Sequence, residues 1–178
     1  MMRLATWALY VAILACITYF AGLYAIPFGV MARVEARLSP NGLKTNQIHH
    51  ADRPNATSRT VVRPSPDLLY SLCYFDVSSG PVRVVSGAPQ DTYWSVALYA
   101  SNTDNFFVLN DQEAGGQSAD IIIYGPHAPM PSAPSTAKLV ESPSRKGVVL
   151  IRTLINDEAK LPEIDGARRQ ATCSPWTG

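Results

Sequence analysis

The chain has 178 residues, with 15 lysines and arginines against 14 acidic residues and a formal net charge of +1. The basic residues are scattered, which excludes a phosphate-binding stripe and leaves no electrostatic case for a nucleic-acid partner. Fourteen prolines favour a loop-rich β domain over a helical bundle, and the length suits one anchor and one domain of ordinary size.

Leu4 to Ile26 is apolar throughout and carries no charge. A helix needs about 20 such residues to cross a bilayer. Trp7, Tyr10, Tyr19 and Tyr24 lie toward its ends, as interfacial aromatics do. The expected first partner is therefore the lipid bilayer. A cleaved signal peptide is the rival reading, but no small-x-small site follows a short apolar run. Ile13 to Cys16 resembles a lipoprotein signal, yet the apolar run continues past Cys16. An uncleaved signal anchor follows. Arg3 flanks one side and Arg33, Arg37 and Lys44 the other, a count that points the C-terminal domain toward the cytoplasm. Large domains translocate despite such charges. Two cysteines in the domain pull the other way, and the reading adopted is a bacterial inner-membrane protein with a periplasmic domain.

Residues 27–38 continue as a short helical extension, with Val30, Val34 and Leu38 at four-residue spacing. Ser39-Pro40-Asn41-Gly42 ends it, and residues 39–59 read as a polar linker. His49 and His50 are adjacent there. Neighbours in an extended segment point apart, so they read as solvated loop histidines, as does His127.

The β domain is expected over residues 60–156. Val61 and Val62 suit a short strand. Pro64 and Pro66 make a rigid corner that no central strand can cross. Leu68 to Val77 reads as a strand with Leu69, Ser71, Cys73, Phe75 and Val77 on its core face. Ser78-Ser79-Gly80-Pro81 is a turn signal, and Val82 to Val85 is expected to return as the second arm of a hairpin. Further strands are Thr92 to Ala100, Asn105 to Leu109, Ile121 to Tyr124, Lys138 to Glu141 and Gly147 to Ile155. A proline-rich excursion runs from Pro126 to Pro134. Short strands between turn signals predict a mainly β fold, an antiparallel sandwich or barrel. Residues 157–178 read as a short helix interrupted at Pro162 and then a loose tail.

Cys16 lies in the anchor, Cys73 in a strand and Cys173 near the C-terminus. A Cys73–Cys173 disulfide would close a loop of about a hundred residues, worth about 4–5 kcal/mol in the chain-entropy model. The alternative is one buried inert thiol and one in a frayed tail. Pairing cannot be read from spacing alone.

The run Val61-Val62-Arg63-Pro64-Ser65-Pro66-Asp67-Leu68-Leu69-Tyr70-Ser71 resembles the Arg-Pro-Asn-Pro-Asp-Thr-x-Tyr signature of domain-of-unknown-function family 1254. Phe75-Asp76-Val77 through Gly80-Pro81-Val82, Tyr93 to Tyr99, Asn105-Phe106 and Leu150 to Leu154 are similar to later parts of that family. The similarity spans about Asn46 to Ile155. Ser65 and Leu68 depart from the usual asparagine and threonine, so the resemblance implies no ligand contact for those two side chains. The resemblance implies a β-sandwich-like domain and no established reaction. Larger relatives carry a second domain, family 1214, in the same chain. Its separate encoding here, as a partner of this protein, is the expectation.

No glycine-rich phosphate loop, zinc spacing or nucleophile elbow is present, so no catalytic motif, metal site or cofactor is expected. The polar candidates for a ligand or structural cluster are Arg63, Asp67, Tyr70, Tyr99, Asn105 and Arg152. Arg63 and Asp67 flank the rigid corner, where they either hold a ligand or pair with each other. Tyr99 and Asn105 flank a turn. Arg152 interrupts an apolar strand, and a buried arginine requires an anion. That anion is either a structural partner or a ligand. The leading expectation is a β domain presented for protein interaction. The alternative is an envelope enzyme or small-molecule binder with a pocket near Arg63, Asp67 and Arg152.

Overall fold

The computed structural model describes residues 2–38, 44–59 and 63–178. The expected helix stop at residues 39–42 and the expected strand at Val61 and Val62 both lie wholly outside the described residues. Helix α1, Met2–Leu38, runs unbroken through Pro27. Among the described residues nine strands follow: β1 Ile48–His50, β2 Leu68–Asp76, β3 Val82–Val85, β4 Trp94–Ala100, β5 Asn105–Asn110, β6 Asp120–Tyr124, β7 Lys138–Glu141, β8 Lys146–Leu154 and β9 Thr172–Pro175. Between β8 and β9 lie a 3-10 turn, Glu158–Lys160, and helix α2, Leu161–Arg168.

The strands form two sheets, ordered β1-β2-β8-β4-β5 and β7-β6-β3-β9. Neither sheet closes into a barrel. The inner faces share one core: Cys73, Phe75, Trp94, Val96, Leu98, Val149 and Ile151 from the larger sheet meet Val82, Val84, Ile121, Ile123 and Cys173 from the smaller. The alternation along β2 matches this, with Leu69, Ser71, Cys73 and Phe75 all buried, because successive strand residues point to opposite faces.

Four expectations are corrected. The turn Ser78–Pro81 does not close a hairpin. It carries the chain from the larger sheet to the smaller, so β2 and β3 are never paired. Asp76 accepts from the Ser78 amide at 2.8 Å, and Gly80 takes φ +143°, a conformation that favours glycine. The smaller sheet is not wholly antiparallel, since β6 and β7 run parallel. The long proline-rich segment between them makes this possible, because a parallel pair needs a crossover connection. The polar linker contains β1, which pairs with β2 through Ile48–Cys73, His49–Leu72 and His50–Ser71. Asn46 prepares that pairing. Its φ is +59°, and its side chain both accepts from the Asp76 amide at 2.8 Å and donates to the Asp76 carbonyl at 3.0 Å. Finally, the tail is not loose. β9 pairs with β3, Cys173 is bonded to Cys73, and the Trp176 indole N–H donates to the Ser132 carbonyl at 2.9 Å.

Two glycines mark close approaches. A Cβ on Gly147 would lie 2.2 Å from the Tyr99 carbonyl oxygen and 2.5 Å from Phe75 Cζ. One on Gly87 would lie 1.9 Å from the Ala167 carbonyl oxygen, at the end of α2.

Helix α1 has two distinct halves. Its N-terminal apolar residues are exposed, Leu4, Leu14, Tyr19 and Ile26 among them. Its last turns lie on the outer face of the larger sheet. Met31 is 8 % exposed there and packs with Tyr74 and Val148, flanked by Val34, Leu72 and Tyr99. Lys146 Nζ lies 3.6 Å from Glu35 and 3.9 Å from Asp76. The Tyr74 phenol is pushed up by burial and by its hydrogen bond to Glu35.

Candidate functional site

The outer face of the larger sheet is built in cross-strand rows. One row joins Tyr74, Val148 and Tyr99; the next joins Leu72, Leu150 and Ala97; the next joins Tyr70, Arg152 and Ser95. The last turns of α1 cover the first row. Antiparallel pairing puts these side chains about 5 Å apart across each row.

The third row holds the unusual chemistry. Ser95 is fully buried and its hydroxyl has no hydrogen-bond partner among the described residues. The Arg152 Nε is shielded from solvent and is likewise unpartnered. Buried polar groups are nearly always bonded, so two unpaired ones at adjacent register positions are informative. Tyr70 completes the row, and its hydroxyl accepts from the Ser65 amide at 3.0 Å. The proline corner is thereby folded down beside the row. Arg53 holds the same corner from the other side, donating to the Pro66 carbonyl at 3.2 Å while pairing with both Glu158 oxygens at 2.9 and 2.6 Å.

The six polar candidates do not form one cluster. Tyr70 and Arg152 are cross-strand neighbours. Tyr99 and Asn105 are neighbours across β4 and β5, but Tyr99 is four residues along β4 from Ser95, about 13 Å at the ordinary strand rise. Tyr99 serves the α1 contact. Arg63 and Asp67 are exposed at the corner. Asp67 acts electrostatically on Arg53.

A shallow cleft of about 310 Å³ opens elsewhere, at the end of the sandwich. It is lined by Gln90, Asp91, Thr92, Tyr93, Trp94 and Asp111, together with Pro89 and Gly116. None of the six candidates lines it. Asp111 Oδ1 is buried there without a partner among the described residues. Asp91 has φ +57°.

A second polar cluster escaped the sequence reading. Arg168, on the last turn of α2, is 2 % exposed. Its Nη1 donates to the carbonyls of Tyr70 at 2.6 Å and Ala51 at 3.0 Å, and to Ser71 Oγ at 3.4 Å. Its Nε donates to Asp165 at 2.8 Å, and its Nη2 also binds Asp165. His50 Nδ1 and Ser71 Oγ are hydrogen-bonded at 2.8 Å, so His50 is half-buried on β1 rather than a solvated loop residue. Burial, followed by the nearby Arg168 and Arg169, lowers its pKa. Burial works against the Asp165 charge, but hydrogen bonds from Arg169 and Arg168 outweigh it and hold its pKa below the usual carboxylate range. Histidine, serine and aspartate lie close here, yet the serine is fully buried and Arg168 takes up the carboxylate. The cluster fastens α2 to the larger sheet and offers no nucleophile to a substrate. Among the described residues, no three His, Cys, Asp or Glu side chains are grouped to hold a metal ion.

Fold and site together define a two-sheet β protein with an apolar N-terminal helix and an unpaired arginine on one sheet face. Residues 45–175 match the family described as protein of unknown function DUF1254, and the chain belongs to that family. The match extends beyond Ile155 to include α2 and β9. The structure is similar to the crystal structure of the VPA0106 protein from Vibrio parahaemolyticus, with a TM-score of 0.65 at 12 % identity over 87 % of this chain and 36 % of that one. It is also similar to an uncharacterized protein from Burkholderia cenocepacia, with a TM-score of 0.49 at 16 % identity over 67 % of this chain and 33 % of that one. This chain thus spans about a third of the length of each. No curated protein matches the sequence.

Proposed function

We propose that this protein is a single-pass bacterial inner-membrane protein whose periplasmic β domain is presented to a partner protein. The observation that carries the reading is the division of α1. Its apolar stretch is uncovered by the rest of the chain, while its last turns are fastened to the larger sheet. Leu4 to Ile26 as a helix is about 34 Å long, enough for the hydrocarbon core of about 30 Å. Met31 follows within about two turns, which sets the β domain close to the membrane surface. The Cys73–Cys173 bond suits an oxidising compartment. The partner is taken to be a separate polypeptide carrying the family 1214 domain, which rests on the resemblance to family 1254, whose larger members join the two domains in one chain.

The test has two parts. Alkaline carbonate extraction of membranes should leave the protein in the pellet, and alkaline phosphatase fused after Gly178 should be active. Release into the supernatant, or an inactive fusion beside a fluorescent cytoplasmic reporter at the same point, ends the membrane or periplasmic reading respectively. Purification in mild detergent should retain a family 1214 protein at a fixed ratio.

A further inference from the structure

The Arg152 side chain makes no hydrogen bond or ion pair among the described residues, although its Nε is shielded from solvent. Its neighbours on the same face are Leu150 and Leu154 along β8, Tyr70 across to β2 and the unpartnered Ser95 across to β4. The leucines are half-buried. Arg152 is half-buried with its shielded Nε donor unmet, so an anion that brings its own apolar surroundings finds both a donor and a charge here. A guanidinium presents a planar fork that matches a carboxylate. The row covered by Met31 and Val34 lies four residues along β8 from Arg152, about 13 Å.

We infer that the Arg152 row is the docking point for an acidic side chain of the partner protein, with the flanking leucines receiving the apolar residues around it. This rests on the interaction reading above and names the face and chemistry that serve it. Charge complementarity selects the occupant: among the described residues, the Arg152 row holds one unneutralised cation and no anion.

The test uses the full chain in dodecyl maltoside with sodium hexanoate as a carboxylate on an apolar body. The Arg152 Nε–H signal in nitrogen-15 NMR is assigned by its loss in Arg152→Lys. Hexanoate should shift that signal saturably, hexylammonium should not, and inorganic phosphate should bind at least tenfold more weakly than hexanoate. Absence of a saturable shift, or phosphate binding as tightly as hexanoate, overturns the proposal. Arg152→Met should melt no lower than the natural protein, which shows that the side chain is not needed for folding; a lower melting point means that Arg152 has a structural partner and also overturns it. In co-purification, Arg152→Gln should lose the partner and Lys138→Gln, on the other sheet, should keep it. A partner retained by Arg152→Gln sinks this inference and leaves the interaction reading standing. Hexanoate bound at Arg152 with no partner recovered from the natural protein sinks the interaction reading and leaves a carboxylate site.

Discussion

Cys73 in β2 and Cys173 in β9 are joined covalently across the core, 100 residues apart in sequence. The bond ties the larger sheet to the smaller at a point where both side chains are buried. It also brings the C-terminal strand under the same constraint as the second strand.

Removing that bond should cost about 4 kcal/mol by the loop-closure relation. The double substitution Cys73→Ala with Cys173→Ala is expected to lower the thermal midpoint by roughly 15 °C for a domain of this size. Calorimetry with and without the substitutions measures it. The natural protein should resist reduction at low denaturant and become reducible as it unfolds. A midpoint unchanged in the double variant means that β9 holds by packing and hydrogen bonding alone.

Arg168 carries a different fastening. Its guanidinium bonds to the backbone carbonyls of Tyr70 and Ala51 and to Asp165, so one side chain joins α2, β2 and the end of β1. Arg168→Ala leaves those acceptors and the Asp165 charge without their donor, and breaking a buried pair in this way costs about 3–5 kcal/mol. Arg168→Lys cannot reproduce the fork and should recover less than half of that loss. Urea unfolding of both variants checks the order. Asp165→Asn should fall between the natural protein and Arg168→Ala, since it keeps hydrogen-bond capacity but removes the charge.

The same cluster sets the response to acid. The folded pKa of His50 lies below its ordinary value of about 6.5, so the unfolded chain binds a proton at a higher pH than the folded one. Stability is therefore complete above about pH 6.5 and falls as pH drops through the range below it. The folded pKa of Asp165 is also lowered, and its contribution is present above about pH 4 and lost below that. The expected stability profile has a shallow decline beginning at mildly acidic pH and a second decline below pH 4. His50→Gln should remove the first and leave the second. A single decline confined to strongly acidic pH in the natural protein would show that His50 titrates alike in both states.

Much of this architecture was legible because strands have a period of two. The buried positions of β2 follow from Leu69, Ser71, Cys73 and Phe75, and Trp94, Val96 and Leu98 likewise mark the inner side of β4. What escaped were features set by distant neighbours. β1 is three residues with two histidines, too short and polar to announce itself, and it forms because Asn46 and β2 supply its bonds. β9 gains its place from β3 and Cys73. The turn Ser78–Pro81 carries the same residue signal whether the next strand returns to the same sheet or crosses to the other. At the site, Arg152 was visible as a charge interrupting an apolar strand. Ser95 and Arg168 were not, because the burial of a serine or a helical arginine depends on what lies across from it. Arg63 and Asp67 drew attention through the rigid corner, but rigidity of the backbone does not bring exposed side chains into a pocket.

The junction between α1 and the larger sheet gives the last prediction. Met31 is buried against Tyr74 and Val148, and Glu35 and Asp76 both approach Lys146. The ion pairs are exposed and add little, so the apolar contact is expected to dominate. Met31→Asp replaces it with a charge on an apolar face and should remove about 2–3 kcal/mol of docking energy. Glu35→Gln should leave the docking almost unchanged. Nitroxide labels at the exposed positions Arg33 and Asp104, with Cys16→Ser to clear the free thiol, report the geometry in detergent. The natural protein and Glu35→Gln should give one narrow distance distribution, and Met31→Asp a broad one. The sheets do not depend on α1 for their pairing or their shared core, so the thermal midpoint of the β domain should move little in Met31→Asp. A large fall in that midpoint would make α1 part of the folding unit, and the β domain would then be unable to swing on its anchor.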